Sequence, residues 1–210
     1  MSAVATVPRK TARKAKGDGH LRRAEILEAA ERIFIAEGYE GATIRKIADE
    51  VGVSSTALYM HFQDKGCILA EICERTFENL LARNSEIAQK PLDAVVRTRM
   101  MLDAYMRWGL GHPNAYQLVY CTHNPTAQSL PEATAELSAQ CYDTFAGVVR
   151  EVAASGRLRT GDGESAAQAL WMACHGVVAL IAARPKFDWA DHEELMRVTL
   201  DGMLHGLVID

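Results

Sequence analysis

Cysteine is sparse in this chain of 210 residues: Cys67, Cys73, Cys121, Cys141 and Cys174 make an odd number with no CxxC pair. That excludes a disulfide framework, and although Cys121 and His123 are close in sequence, no second pair at zinc-like spacing follows, so no metal is expected. Most of the thiols sit inside apolar helical patterns and read as small core side chains, the alternative being a redox-sensing thiol. Long apolar runs are missing too. Unbroken stretches such as Val177 to Ala183 stop far short of the roughly 20 residues a membrane span needs, and Ala3 to Val7 is too short for a signal-peptide core, so the expectation is a soluble, cytoplasmic chain with no membrane partner. No segment alternates with period two, which removes the sheet classes. There is no Ser/His/Asp set, no paired-carboxylate set and no phosphate-binding glycine loop, so neither an enzyme nor a cofactor is expected.

What is present is a lopsided charge distribution and strong helical periodicity. The net charge is −4, yet Arg9, Lys10, Arg13, Lys14, Lys16, Arg22 and Arg23 meet only Asp18 between positions 9 and 23. A basic end on an acidic body suits a molecule that meets phosphate at one end; a solvated tail is the plain alternative. Residues 1–19 lack periodicity and read as a disordered basic arm.

From Leu21 onward Ile26, Leu27, Ala30, Ile33 and Phe34 recur at helical spacing, with Gly38 as terminator. Thr43 can cap a second helix with Ile44, Ile47, Ala48 and Val51 on its apolar face, closed by Gly52. Ser54 can cap a third that turns Leu58 and Phe62 inward. Asp64 can cap a rod with no Pro or Gly between Gly66 and Pro91. Further helices are predicted over Pro91 to about Leu110, Asn114 to Cys121, Pro131 to Ser155, Glu164 to Arg184 and Asp191 to Leu207, with Asn124 and Pro125 among the breaks. The fold class is therefore all-α, divided into the arm at 1–19, a three-helix unit at 20–66 and a helical bundle at 67–210.

Two short helices joined through Val51-Gly52-Val53-Ser54 have the build of a helix-turn-helix, in which the second helix enters the major groove of double-stranded DNA. Ser54, Ser55, Thr56 and Ala57 lie in or beside its first turn, small enough for close approach to base edges. Arg45 and Lys46 sit in the first turn of the preceding helix, where the macrodipole disfavours cations, so an external phosphate would favour them, with Thr43 adding a hydroxyl. Tyr59, His61 and Lys65 flank the recognition helix as candidate phosphate contacts, and Met60 lies between them as a candidate contact to the bases.

Taken together, Ala42-Thr43-Ile44-Arg45-Lys46-Ile47-Ala48, Gly52-Val53-Ser54, Leu58-Tyr59-Met60-His61-Phe62 and Asp64-Lys65 resemble the TetR family of regulators. The resemblance implies an N-terminal three-helix DNA-binding domain, about nine helices in all, a C-terminal domain for a small-molecule effector, and a homodimer on a near-palindromic operator. It also places the residues matching Thr43, Ser55, Thr56, Tyr59, His61 and Lys65 at or near DNA. Met60 departs from the family pattern, where an aromatic is common, leaving apolar contact with a thymine methyl as its role. Trp171, His175 and Gly176 resemble a Trp-His-Gly signature of a subgroup of TetR C-terminal domains.

In the bundle, Met101, Tyr105 and Trp108 follow one helix face, Trp171, Cys174 and His175 another, with Tyr116 and Tyr120 between. They either line a pocket for a small hydrophobic or aromatic effector or simply fill the core. The last two helices carry Val177, Val178, Leu180 and Ile181, then Leu195, Met196, Val198, Leu200, Met203, Leu204 and Leu207. With Gly202 and Gly206 allowing close approach, they suit a four-helix interface between two copies, burial inside a monomer being the alternative. The functional expectation is a repressor released from its operator by the effector; a DNA-binding architectural or recruiting factor without a ligand is the alternative.

Overall fold

The computed structural model describes residues 19–121, 131–159 and 161–209. The basic arm, His123 and the break at Asn124 and Pro125 lie outside them. Within them the regular structure is helical, apart from an isolated antiparallel bridge between Leu158 and Val208.

Helix α1 (Gly19–Gly41) is interrupted at Gly38, whose φ of 73° and ψ of 166° are open to glycine and strained for any other residue. Helix α2 (Ile44–Val51) starts at Thr43, whose hydroxyl accepts the Lys46 N–H, and stops at Gly52 in the left-handed region. Helix α3 (Ser55–Tyr59) starts at Ser54, which accepts the Ala57 N–H at 3.1 Å. Helix α4 (Lys65–Ala88) begins at Asp64, which accepts the Cys67 N–H at 2.9 Å, and its 24 residues are unbroken. At 1.5 Å per residue that rod is about 36 Å long.

Helix α5 (Ala94–Gly111) starts three residues past Pro91 because Asp93 caps it through the Val95 N–H. Helix α6 (Pro113–Tyr116) passes directly into a π-helical turn (Gln117–Cys121). Helices α7 (Glu132–Ala154), α8 (Gly163–Ala183) and α9 (His192–Leu207) complete the bundle, the last two capped by Asp162 and Asp191.

Two buried clusters organise the molecule. The N-terminal one gathers Ile26, Ala30, Phe34, Ile47, Leu58, Phe62 and Ile68, then continues along α4 through Phe77 and Leu80 to Leu118 and Cys141. The second gathers Met101, Met106, Tyr116, Phe145, Val149, Leu170, Cys174, Met196 and Leu200. Helix α4 is therefore shared, because its first turns seal the small N-terminal unit and its later turns wall the bundle.

Candidate nucleic-acid interface and effector cavity

At the N-terminal end the two cap hydroxyls, Thr43 and Ser54, are spent on holding α2 and α3 in place. Leu58 and Phe62 are buried beneath α3, so its opposite face is bare. That face carries Thr56, Ala57, Tyr59 and Met60, all exposed, with Ser55 half-buried at its edge. Met60 is 84% and Tyr59 56% exposed, large side chains with no protein cover. Arg45 stands beside them with its side chain 86% exposed and only Asp49 near, at 3.9 Å. An exposed pair that long contributes little, so the guanidinium is open to an outside anion.

The other two cations are engaged internally. Lys46 pairs with Glu37 and donates to the Gly41 carbonyl at 2.9 Å, so the unfavourable position at a helix start is offset within the protein. Lys65 donates to the carbonyls of Tyr39 at 2.7 Å and Ala42 at 3.3 Å, and its ammonium lies 4.3 Å from the centre of the Tyr39 ring. It clamps the turn between α1 and α2. The His61 side chain is half-buried, and its carbonyl accepts from Arg23 Nη1 at 2.9 Å.

Sequence reasoning counted Arg23 only as part of a basic stretch. It grips Glu71 with two nitrogens, Nε at 2.8 Å, and stacks 4.2 Å over the Phe62 ring, tying α1 to α4 behind the recognition helix. Its partner lies 48 positions away, so no local spacing signals the pair.

In the bundle the expected aromatic residues do meet. Tyr105, Trp108, Tyr116, Tyr120, Trp171 and His175 form a continuous set of ring contacts, with centroids 5.4 to 6.5 Å apart. The Tyr105 and Tyr116 hydroxyls converge on His175 Nδ1 at 2.9 and 2.8 Å. Burial pushes the His175 imidazole below its ordinary range and both the Tyr105 and Tyr120 hydroxyls well above theirs, so all three are neutral near pH 7.

Beside this set is a cavity of about 90 Å³. Of the eight expected lining residues, Met101, Tyr105, Tyr120 and Trp171 reach it, while Trp108, Tyr116, Cys174 and His175 pack behind. The far wall comes from α4 (Leu80 and Asn84) and from α7 (Ser138, Cys141, Tyr142 and Phe145). The α7 residues sit one turn apart on one face, a signal readable in the sequence; those of α4 are set by how it crosses α7.

Cys73, Cys141 and Cys174 are buried, and burial pushes their thiols up to about 11, 11 and 12. They stay protonated and behave as core. Cys67 is exposed, against the core reading, because it falls on the solvent side of the first α4 turn. The Cys121 side chain lies outside the described residues.

On the outer surface of α8 and α9, Met172, Leu180 and Val198 are between 53% and 65% exposed. A Cβ placed on Gly176, Gly202 or Gly206 would meet nothing within 4 Å. Trp171 and His175 thus face the cavity side while Gly176 opens outward. Taken whole, α8 is long and apolar enough by composition to cross a membrane, which its longest unbroken run did not suggest, because alanine, glycine and cysteine fill the gaps. One side of it packs into the bundle core and the other is bare.

A capped pair of short helices with a bare second helix, on an all-helical body, defines a helix-turn-helix regulator architecture. Residues 26–72 match the family described as bacterial regulatory proteins, tetR family, and residues 98–207, more than half of the chain, match the tetracyclin repressor-like C-terminal domain. The chain belongs to the TetR family, whose members regulate transcription and are not enzymes. It is 38% identical over 97 residues to the transcriptional repressor AcnR of Corynebacterium diphtheriae, covering 46% of this chain and 44% of that protein. The chain spans about half the length of the curated relatives it matches. Among solved structures it resembles the TetR family regulator PfmR of Thermus thermophilus (TM-score 0.73, 25% identity, 86% of this chain and 97% of that one). It shares the fold of FadR of Bacillus subtilis, solved in complex with stearoyl-CoA (TM-score 0.73, 19% identity, 87% and 98%).

Proposed function

We propose that the protein is a homodimeric, cytoplasmic regulator that binds a near-palindromic operator through α2 and α3, and leaves it when a small hydrophobic or aromatic effector occupies the cavity. The observation that carries the DNA-binding reading is the bare face of α3. Thr56, Ala57, Tyr59 and Met60 are all exposed and stand next to Arg45, which is paired only weakly with Asp49. Small side chains in the first turn admit the helix to the groove, Met60 offers apolar contact with a thymine methyl, and Tyr59 and Arg45 reach phosphates. Few base-specific donors are available there, so selectivity leans on DNA shape and half-site spacing.

Dimerisation is supported by the apolar, glycine-punctuated outer face of α8 and α9, which a second copy would cover as a four-helix interface. Repression is supported by the likeness to AcnR, a transcriptional repressor. Functionally the units divide at 20–66 and 67–210, with α4 as the link. The Tyr120 ring, on the cavity wall, meets Phe77 of α4 edge-on at 6.2 Å, so a ligand that moves Tyr120 pushes on the helix beneath the recognition unit. Coupling of about 1 to 3 kcal/mol would change operator affinity about 5- to 150-fold.

Thr56→Glu tests the DNA face. Thr56 is exposed, and an acid in the first turn of a helix is tolerated or mildly stabilising. The variant keeps wild-type stability and oligomeric state and loses operator binding in fluorescence anisotropy; unchanged affinity would place the DNA contact elsewhere.

A further inference from the structure

The described residues of the cavity wall offer oxygen atoms but no ionic side chain. Among the described residues that line it there is no Asp, Glu, Lys, Arg or His. The Tyr120 and Ser138 hydroxyls accept or donate no hydrogen bond to any described group. Asn84 donates Nδ2 to the Cys141 carbonyl at 3.3 Å, which leaves its Oδ1 as an acceptor. Burial holds the Tyr120 hydroxyl protonated, so it is a standing donor. Behind the wall Tyr142 donates to Glu164 at 2.5 Å, and Arg150, at 3.3 Å, is a cation already matched by that carboxylate.

An anion in this cavity would lose its water without gaining a counter-ion, a penalty of several kcal/mol, whereas a carbonyl or hydroxyl would find a donor at Tyr120 or Ser138. We infer that the effector is an uncharged molecule with an apolar body and one hydrogen-bonding oxygen, of the class of neutral ketones, lactones and phenols, seated between Tyr120 and Ser138. A carboxylate anion is excluded. This rests on the effector reading above. The volume of about 90 Å³ is below the roughly 150 Å³ that accommodates a benzene ring, so entry of a ring displaces a wall. Tyr142 and Trp171 are the half-buried pair at that wall, with rings 5.7 Å apart.

The test uses the full-length protein and two matched sets: acetophenone and benzoate, then octan-2-one and octanoate. Binding is read by calorimetry and by tryptophan fluorescence at pH 8. The two ketones bind, and the carboxylates bind at least about 100-fold more weakly, as an unpaired buried charge requires. Tyr120→Phe and Ser138→Ala together weaken the ketones about 5- to 30-fold, one ordinary hydrogen bond or two. Circular dichroism and denaturation midpoints check that the variant is folded. Carboxylates that bind as well as the ketones, or ketone affinity untouched by the double change, overturn the neutral-ligand inference and leave the effector reading in place. If no member of either set binds, the effector reading falls and this inference with it.

Discussion

Lys65→Met removes an ammonium while keeping most of the aliphatic stem, and so separates two roles for a cation at the DNA-facing end. In the folded protein the ammonium donates to the carbonyls of Tyr39, Ala42 and Glu40 at 2.7, 3.3 and 3.5 Å, has the Glu40 carboxylate at 3.8 Å and lies over the Tyr39 ring. Hydrogen bonds from a charged donor are each worth about 1.5 to 3 kcal/mol when well buried. The side chain is 25% exposed, so the freed carbonyls regain some water, and a total loss of about 2 kcal/mol is expected, cation–π contact included. For a protein of this size that is a drop in Tm of about 4 to 8 °C at fixed protein concentration. Operator binding is then measured against salt. A lost phosphate contact lowers the slope of log K on log salt by about 0.9, and the variant is expected to keep the wild-type slope, because the Lys65 ammonium is already engaged in holding the turn under α2. A Tm unchanged within about a degree together with a slope reduced by about 0.9 would refute this reasoning and make Lys65 a phosphate ligand.

Arg45→Ala is the converse case: its side chain has only a weak pair with Asp49, so stability holds within about 0.5 kcal/mol while the salt slope falls by about 0.9. Deleting residues 1–16 lowers that slope by several such steps without changing the selected sequence, and an unchanged slope would remove the arm from the interface. The His175 imidazole is shifted below its ordinary 6.5 by burial, so between the folded and unfolded values the unfolded chain binds more protons. Its contribution is complete above about pH 6.5 and is lost as the pH falls below that. In His175→Gln the decline of Tm from pH 7 to pH 5 is shallower than in wild type, and parallel curves would contradict it. Leu180→Glu with Val198→Glu halves the mass in light scattering and sharply weakens operator binding, whereas a variant that stays dimeric would move the interface off α8 and α9.

The sequence made the helix starts at Thr43, Ser54 and Asp64 and the stop at Gly52 readable because each depends on a hydroxyl, carboxylate or glycine within three residues of the backbone it serves. The fold class followed from helical periodicity for the same local reason. What could not be read was which cations face outward. Lys46 and Lys65 look like Arg45 in sequence, yet their partners are carbonyls and a carboxylate brought near by the kink at Gly38. The cavity was half legible. Met101, Tyr105, Tyr120 and Trp171 stand out by type, whereas Leu80 and Asn84 become lining residues only through the angle at which α4 crosses α7. Trp108 and His175 show the reverse: their types suit a ligand, but they pack behind the wall, and His175 is occupied by two tyrosines.

In the proposed complex, α3 of two copies reads two half-sites of one operator. Selection of bound duplexes from a random DNA pool by the purified protein tests that arrangement most directly. Enrichment of a near-palindrome is expected, its half-sites separated by about one helical turn, 10 to 10.5 base pairs, or a multiple of it, and the enrichment is lost in Thr56→Glu. A pool that stays unenriched, or an enriched motif without two-fold symmetry, would contradict it.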